Sequence, residues 1–344
     1  MKQPTLVIKL GSAVLSNSDG TTNQTVIRKI ADEVAGLSNQ YRIILVSSGA
    51  VSSGRNFLRQ YKGTLTERKA AAAIGNPILI EMYRKQFARH DITVAQALCE
   101  RHHFSNRNQF LQLKNTFETF WKNSVLPIVN ENDLISNNEL KFSDNDELAT
   151  LLAIGFNAQK MLLCTSSKGL LNQEGKIIPL VQAIDNSILS CITKDKSSVG
   201  LGGMLSKITF TQLATSLGIE VIMCGLEGKT PLRQALRGEA GTWFRAKRSN
   251  LKERQKWLLS GSVTVGQIHV DEGAEKALHA RKSLLTVGIK RTEGQFSAGE
   301  VVQLMNLQEM IIGVGKTRLS AAEIQSLRNS KNQMAAHAND IVLF

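Results

Sequence analysis

The chain has 344 residues, 42% of them hydrophobic and 21% charged, which is ample for a sizeable core and for more than one domain. No apolar run is long enough to cross a bilayer, and Met1-Lys-Gln-Pro-Thr5 enters Leu6-Val-Ile directly, without the layout of a signal peptide. The formal net charge of +13 is concentrated: nine lysines and arginines between Lys229 and Lys256 are opposed only by Glu239 and Glu253. A solvated linker is the plainer reading of that stretch and a polyanion-binding surface the sharper one. Cys99, Cys164, Cys191 and Cys224 have no paired spacing, so neither a disulfide frame nor a zinc site is indicated. Reduced thiols in a cytosolic protein are expected, with Cys164 and Cys224 in buried strands.

From the start to about Gly225, apolar runs alternate with amphipathic segments. The runs are Leu6–Leu10, Ile43–Val46, Ile92–Ala95, Val125–Val129, Met161–Cys164 and Ile219–Met223. The helix-like stretches between them are Asn23–Leu37, Glu67–Arg89, Ser105–Trp121 and Met204–Leu217. This order predicts right-handed crossovers and an α/β fold, a mostly parallel sheet covered by helices on both faces. The strands should release polar or glycine-rich loops at one shared rim: Lys9-Leu-Gly-Ser12, Ser47-Ser-Gly49, Asn130-Glu-Asn-Asp133 and Thr165-Ser-Ser-Lys-Gly169. From Ser262 onward the pattern turns to short β segments with glycine punctuation, among them Val263–Val270, Gly299–Leu304 and Ile311–Val314. That predicts a small β-barrel or sandwich as a second domain, with the boundary within about Leu251–Gly261.

Val129-Asn-Glu-Asn-Asp133, followed by Lys141-Phe-Ser-Asp-Asn-Asp146, packs carboxylates and carboxamides behind an apolar run. Asn and Asp are poor strand and helix-interior residues, so this density marks a loop or a cap where binding groups gather. In Val199-Gly-Leu-Gly-Gly-Met-Leu-Ser-Lys207, three glycines allow close approach to an anion before a helix whose first-turn Lys207 reaches a phosphate oxygen. Lys9, at the exit of the first strand, offers a second cation for a phosphoryl clamp, although a lone lysine there is usually just solvated. Two P-loop tails, Gly228-Lys-Thr230 and Gly313–Thr317, lack the upstream glycine, where Met223 and Met310 stand, and are read as turns. His102-His103 has no third ligand at sensible spacing and is read as a helix-end or surface pair.

Together, Val7-Ile-Lys-Leu-Gly-Ser12, Val46–Val51, Val129–Asp133, Phe142–Asp146 and Gly202–Lys207 resemble the glutamate 5-kinases of the amino acid kinase superfamily. Val270–Ala274, Ser283–Leu285 and Gly294–Val301 resemble the PUA domain that bacterial members carry. The resemblance implies an amino acid kinase domain over 1–255 and a PUA domain over 262–344. It implies ATP-dependent phosphorylation of the γ-carboxylate of L-glutamate, with Mg²⁺, as the first step towards proline. Lys9 and Lys207 would stabilise the transferring phosphoryl group, and Asp146 would orient both lysines. Ser48, Asp133 and Asn145 would hold glutamate, with no protein metal ligand. ATP would lie against Lys9, Thr165, Ser166, Leu201, Gly202, Gly203, Met204, Leu205, Ser206 and Lys207. Feedback by L-proline, a homo-oligomer, a glutamyl phosphate reductase partner and RNA binding by the PUA domain are further implications. The chain departs from the family at Ser166 (usually Asp), Asn76 (usually Gln) and Leu201 (usually Thr), and around Gln96–His103. Two alternatives stand beside this reading: a related kinase for another acidic acceptor, and an RNA-binding PUA protein with a vestigial kinase site. The chemistry needs no general base, because a glutamate side chain with a pKa of ~4.3 is already ionised at neutral pH.

Overall fold

The computed structural model describes residues 3–17, 19–105, 107–134, 145–192, 201–247, 266–327 and 332–343. Two compact units emerge, Met1–Glu100 with Gln112–Ser249, and Arg101–Leu111 with Asn250–Phe344. The boundary expected within Leu251–Gly261 lies outside the described residues.

Up to residue 247 the chain runs β1 (Thr5–Leu10), α1 (Ser12–Leu15), α2 (Gln24–Leu37), β2 (Arg42–Ser47), α3 (Ala50–Gly54), α4 (Leu65–Phe87) and β3 (Thr93–Cys99). It continues as α5 (His102–Ser105), α6 (Arg107–Lys122), β4 (Val125–Glu131), α7 (Asn145–Gly155), β5 (Lys160–Cys164), β6 (Leu180–Val181) and α8 (Asn186–Ile192). The last elements are α9 (Leu201–Ser216), β7 (Glu220–Cys224), α10 (Pro231–Leu236) and β8 (Thr242–Phe244). The described strands form one sheet in the order β3-β4-β2-β1-β5-β7-β8-β6, with every pairing parallel except β7 with β8.

All six residues of β1 are buried, as expected for a central strand covered on both faces. Leu6, Ile8 and Leu10 enter a core shared with Ile27, Ile30, Ala31 and Val34 of α2 and Leu79, Tyr83 and Phe87 of α4. The spacing of those α2 residues is that of one helical face, and Asn23 caps the helix by accepting from the Val26 amide at 3.0 Å. Strand alternation then leaves Val7 and Lys9 on the opposite face, where α7 packs on β1 and α9 packs on α7. Every apolar run read as a strand before Gly225 is one.

The basic stretch is more structured than a solvated linker over its described part, residues 229–247. Arg233 lies 3.7 Å from buried Glu33, while Arg245 pairs with Glu220 at 3.0 Å and stacks on Trp243 at 5.0 Å. Gly228-Lys-Thr230 is the expected turn, with Thr230 as N-cap of α10.

The second unit contains β9 (Gln267–Val270), α11 (Glu272–His279), β10 (Leu284–Leu285), β11 (Ile289–Glu293), β12 (Val301–Met305), β13 (Ile311–Thr317), α12 (Ala321–Leu327) and β14 (Met334–Leu343). Its described strands form a six-stranded mixed sheet in the order β10-β14-β13-β12-β9-β11. Ile268, Val270, Leu278, Val302, Leu304 and Ile324 make its core. Gly313–Thr317, read as a turn, is instead part of β13: its glycines let β14 approach, and a Cβ on Gly313 would lie 2.4 Å from the Val342 carbonyl.

Candidate active site

The C-terminal ends of β1, β2, β4 and β5 bring the expected loops to one rim. Backbone bonds tie them together: Gly11 donates to the Cys164 carbonyl at 3.2 Å, Ser48 to Leu10 at 3.1 Å and Thr165 to Cys224 at 2.9 Å. At the exit of β2 the chain turns through Gly49 at φ +110°, a left-handed conformation that glycine adopts without a Cβ clash. α3 then crosses α4 at backbone contact. A Cβ on Gly54 would lie 1.9 Å from the Ala71 carbonyl, and one on Gly75 would lie 1.8 Å from that of Ala50.

Three charged residues converge at this rim. The Asp146 carboxylate, on the first turn of α7, forms an ion pair with Lys9, whose Nζ lies 2.6 Å from Oδ1, and accepts from Lys207 Nζ on Oδ2 at 2.8 Å. Asp146 is fully buried and Lys9 is 5% exposed. Burial alone would raise the Asp146 carboxyl, but the two ammonium groups and their hydrogen bonds outweigh it and hold the group below its usual value of 3.8. The lysines are thereby aimed in advance, one from β1 and one from α9. Lys207 lies deeper in α9 than its expected first-turn position, because Leu201, Gly202 and Gly203 are already helical rather than loop.

Beside the charged trio runs a line of carboxamides. Asn145 Nδ2 donates to Ser48 Oγ at 2.9 Å and to Asn130 Oδ1 at 3.1 Å, and Asn130 Nδ2 donates to Asn76 Oδ1 at 3.2 Å. Asn145 Oδ1 is buried with no hydrogen-bond partner among the described residues. Ser48, Asn130 and Asn145 border a cavity of about 440 Å³, within the range of small-molecule sites, whose lining also includes Arg55, Tyr61, Arg68, Glu131 and Asp133. Of the site residues read from the sequence, Ser48, Asp133 and Asn145 thus share one cavity, and Lys9, Asp146 and Lys207 form one bonded cluster adjoining it through Asn145. Thr165 is buried at the end of β5, Ser166 is exposed, and Thr165 Oγ1 lies 3.3 Å from Ser167 Oγ. On α9, Leu205 is 54% exposed. Lys141–Asp144 and Val199–Gly200 lie outside the described residues.

Sequence reasoning marks neither Arg68 as a cavity group nor Asn76 as the partner of Asn130. Asn76 stood out only as a departure from the family, and Arg68 is one cation among many in a helical segment. Also unread was the pairing of Cys164 with Cys224, register neighbours on β5 and β7, both buried. The hydrogen bond between the thiols, reinforced by burial, pushes Cys164 well above the usual thiol range. Among the described residues, no group of three or more His, Cys, Asp or Glu is placed to hold a metal ion, and no helix is long and apolar enough to cross a membrane.

Fold and site together define an amino acid kinase. The model of the amino acid kinase family matches residues 4–225, and that of the PUA domain matches residues 266–337. Glutamate 5-kinase of Haemophilus influenzae is 34% identical to this chain, over 96% of its length and 93% of the relative's. Glutamate 5-kinase of Trichlorobacter lovleyi is 36% identical, over 95% and 90%. The chain belongs to the glutamate 5-kinase family, as its motifs had suggested. The solved carbamate kinase of Giardia lamblia bound to AMP-PNP shares the fold, with a TM-score of 0.50 at 16% identity over 71% of this chain and 99% of that one.

Proposed function

We propose that this enzyme transfers the γ-phosphoryl group of ATP to the side-chain carboxylate of L-glutamate, forming L-glutamyl 5-phosphate and opening the route to proline. The observation that carries the reading is the buried Asp146 bridging Lys9 and Lys207, with Asn145 leading from that bridge to the acceptor cavity. Well-packed apolar residues would serve stability at least as well as this buried carboxylate and its two lysines, so the set points to chemistry rather than to packing.

The acceptor carboxylate is its own nucleophile. One of its oxygens bonds to the γ-phosphorus as the bond to the bridging oxygen breaks, and ADP leaves. The obstacle is electrostatic: a carboxylate must approach a triphosphate, and charge builds on the transferring group. Lys9 and Lys207 oppose that charge, and Asp146 keeps both ammonium groups aimed before the substrates arrive. Mg²⁺ carried on the triphosphate supplies further neutralisation when bound. Ser48, Asn145 and Asp133 hold the acceptor. The loop at Thr165–Ser166 and the start of α9, Leu201–Ser206, receive the nucleotide. The product is a reactive mixed anhydride, which suits prompt consumption by a reductase.

The test is formation of γ-glutamyl hydroxamate from L-glutamate, ATP, Mg²⁺ and hydroxylamine, run beside aspartate and N-acetylglutamate. Glutamate should be the preferred acceptor. Preference for either of the others would replace the reading with a kinase of different acceptor.

A further inference from the structure

We propose that Arg68 receives the α-carboxylate of the acceptor and makes the site selective for a free α-amino dicarboxylate. The inference rests on the glutamate reading above and names the group that distinguishes the far end of the acceptor. Ionised glutamate brings two carboxylates and one ammonium into the cavity. The lysine pair serves the reacting carboxylate, and Asp133 matches the ammonium in charge. The second carboxylate needs a cation of its own, because an unpaired charge withdrawn from water is costly.

Two guanidinium groups line the cavity, Arg55 and Arg68. Arg55 is already engaged: its Nη2 donates to the Asp19 carbonyl at 3.0 Å, and its guanidinium fills the space beside Gly20, where a Cβ would meet it at 1.5 Å. Arg68 pairs with no carboxylate among the described residues. Its neighbour Glu67 is committed to the helix cap, accepting from the amides of Thr64 at 2.9 Å and Lys62 at 3.0 Å. An unpaired cation in the first turn of α4 also opposes the helix dipole, which favours anions there. The chain thus carries a charge that the helix disfavours, in a cavity whose ligand would pair with it.

Arg68 lines the same cavity as Ser48, Asp133 and Asn145, the groups that hold the rest of the acceptor. The guanidinium fork binds a carboxylate in two parallel hydrogen bonds, so it selects for a planar anion as well as for charge.

The experiment compares L-glutamate with its α-amide, which keeps the γ-carboxylate and loses the α-carboxylate charge. Wild type should favour glutamate strongly in kcat/KM. Arg68→Gln should raise the glutamate KM roughly 10- to 100-fold, the loss of one charged hydrogen-bonded contact, with kcat changed less than about threefold. It should also collapse the preference for glutamate over the α-amide, and Arg68→Lys should restore part of it. Thermal melts should match wild type, since the side chain is exposed. An unchanged preference in Arg68→Gln overturns the proposal, as does a collapse seen in Arg55→Gln instead. A wild-type enzyme that phosphorylates neither compound overturns the glutamate reading itself, a separate result.

Discussion

At the scale of single residues, the site turns on one buried carboxylate serving two cations. Because the Asp146 carboxyl is held below 3.8, it stays ionised throughout the neutral and mildly acidic range. Its ionisation favours the folded state above its unfolded pKa, and that contribution is lost only as pH falls through the still lower folded value. Any acid limb of activity between pH 5 and 7 therefore belongs to another group. Lys207→Ala should lower kcat on the order of 10²–10³-fold and change the glutamate KM little, because its contact strengthens as charge moves onto the phosphoryl group. Steady-state kinetics decide this, and a mutant with normal kcat and raised KM would place Lys207 in ground-state binding. Asp146→Ala should lose kcat similarly but also melt earlier, since it removes the carboxylate that bridges two largely buried ammonium groups.

Among the elements, two buried contacts fix how helices meet. The first is the crossing of α3 and α4, where Gly75 meets the Ala50 carbonyl with no room for a methyl. Gly75→Ala should cost about 1–3 kcal/mol in chemical denaturation and raise the glutamate KM, because α3 follows directly from Ser48 and Gly49. A substitution that lowers stability without moving KM would separate the crossing from the cavity. The second is the joint between α2 and α10, where buried Glu33 accepts from the Leu232 amide at 2.5 Å. Burial raises its carboxyl above 4.5 despite that bond and the nearby Arg233. The sign follows: the unfolded chain ionises first as pH rises past about 4.5, so the wild type loses stability there relative to a neutral isostere. Glu33→Gln should match wild type below pH 4.5 and gain on it in melting temperature above that value. A flat difference across pH would mean that the buried group titrates normally.

For the whole molecule, the kinase-type unit and the β-rich unit have separate cores, one around β1, α2 and α4 and one around Ile268, Val302 and Ile324. A chain ended after about Gly261 should therefore remain folded and turn over glutamate in the hydroxamate assay, and an insoluble or inactive product would show the two to be interdependent. The sequence alone determined the alternation of strands and helices, because hydrophobic period and strand-end polarity are local properties that each segment writes into itself. It also determined the charged trio and the Ser48, Asp133 and Asn145 set, through motifs shared with a known family. Short or polar elements stayed hidden. β6 has two residues, β8 has three within a basic stretch, and β14 runs through Met334–Leu343 with Asn339 and Asp340 inside it. These form strands because a neighbour offers its edge, which no local pattern records. Tertiary structure likewise decided that Asn76 joins Asn130, that Cys164 lies against Cys224, and that Arg68 faces the acceptor cavity. Each depends on segments far apart in the chain meeting at one rim, and spacing along the chain carries no trace of such meetings.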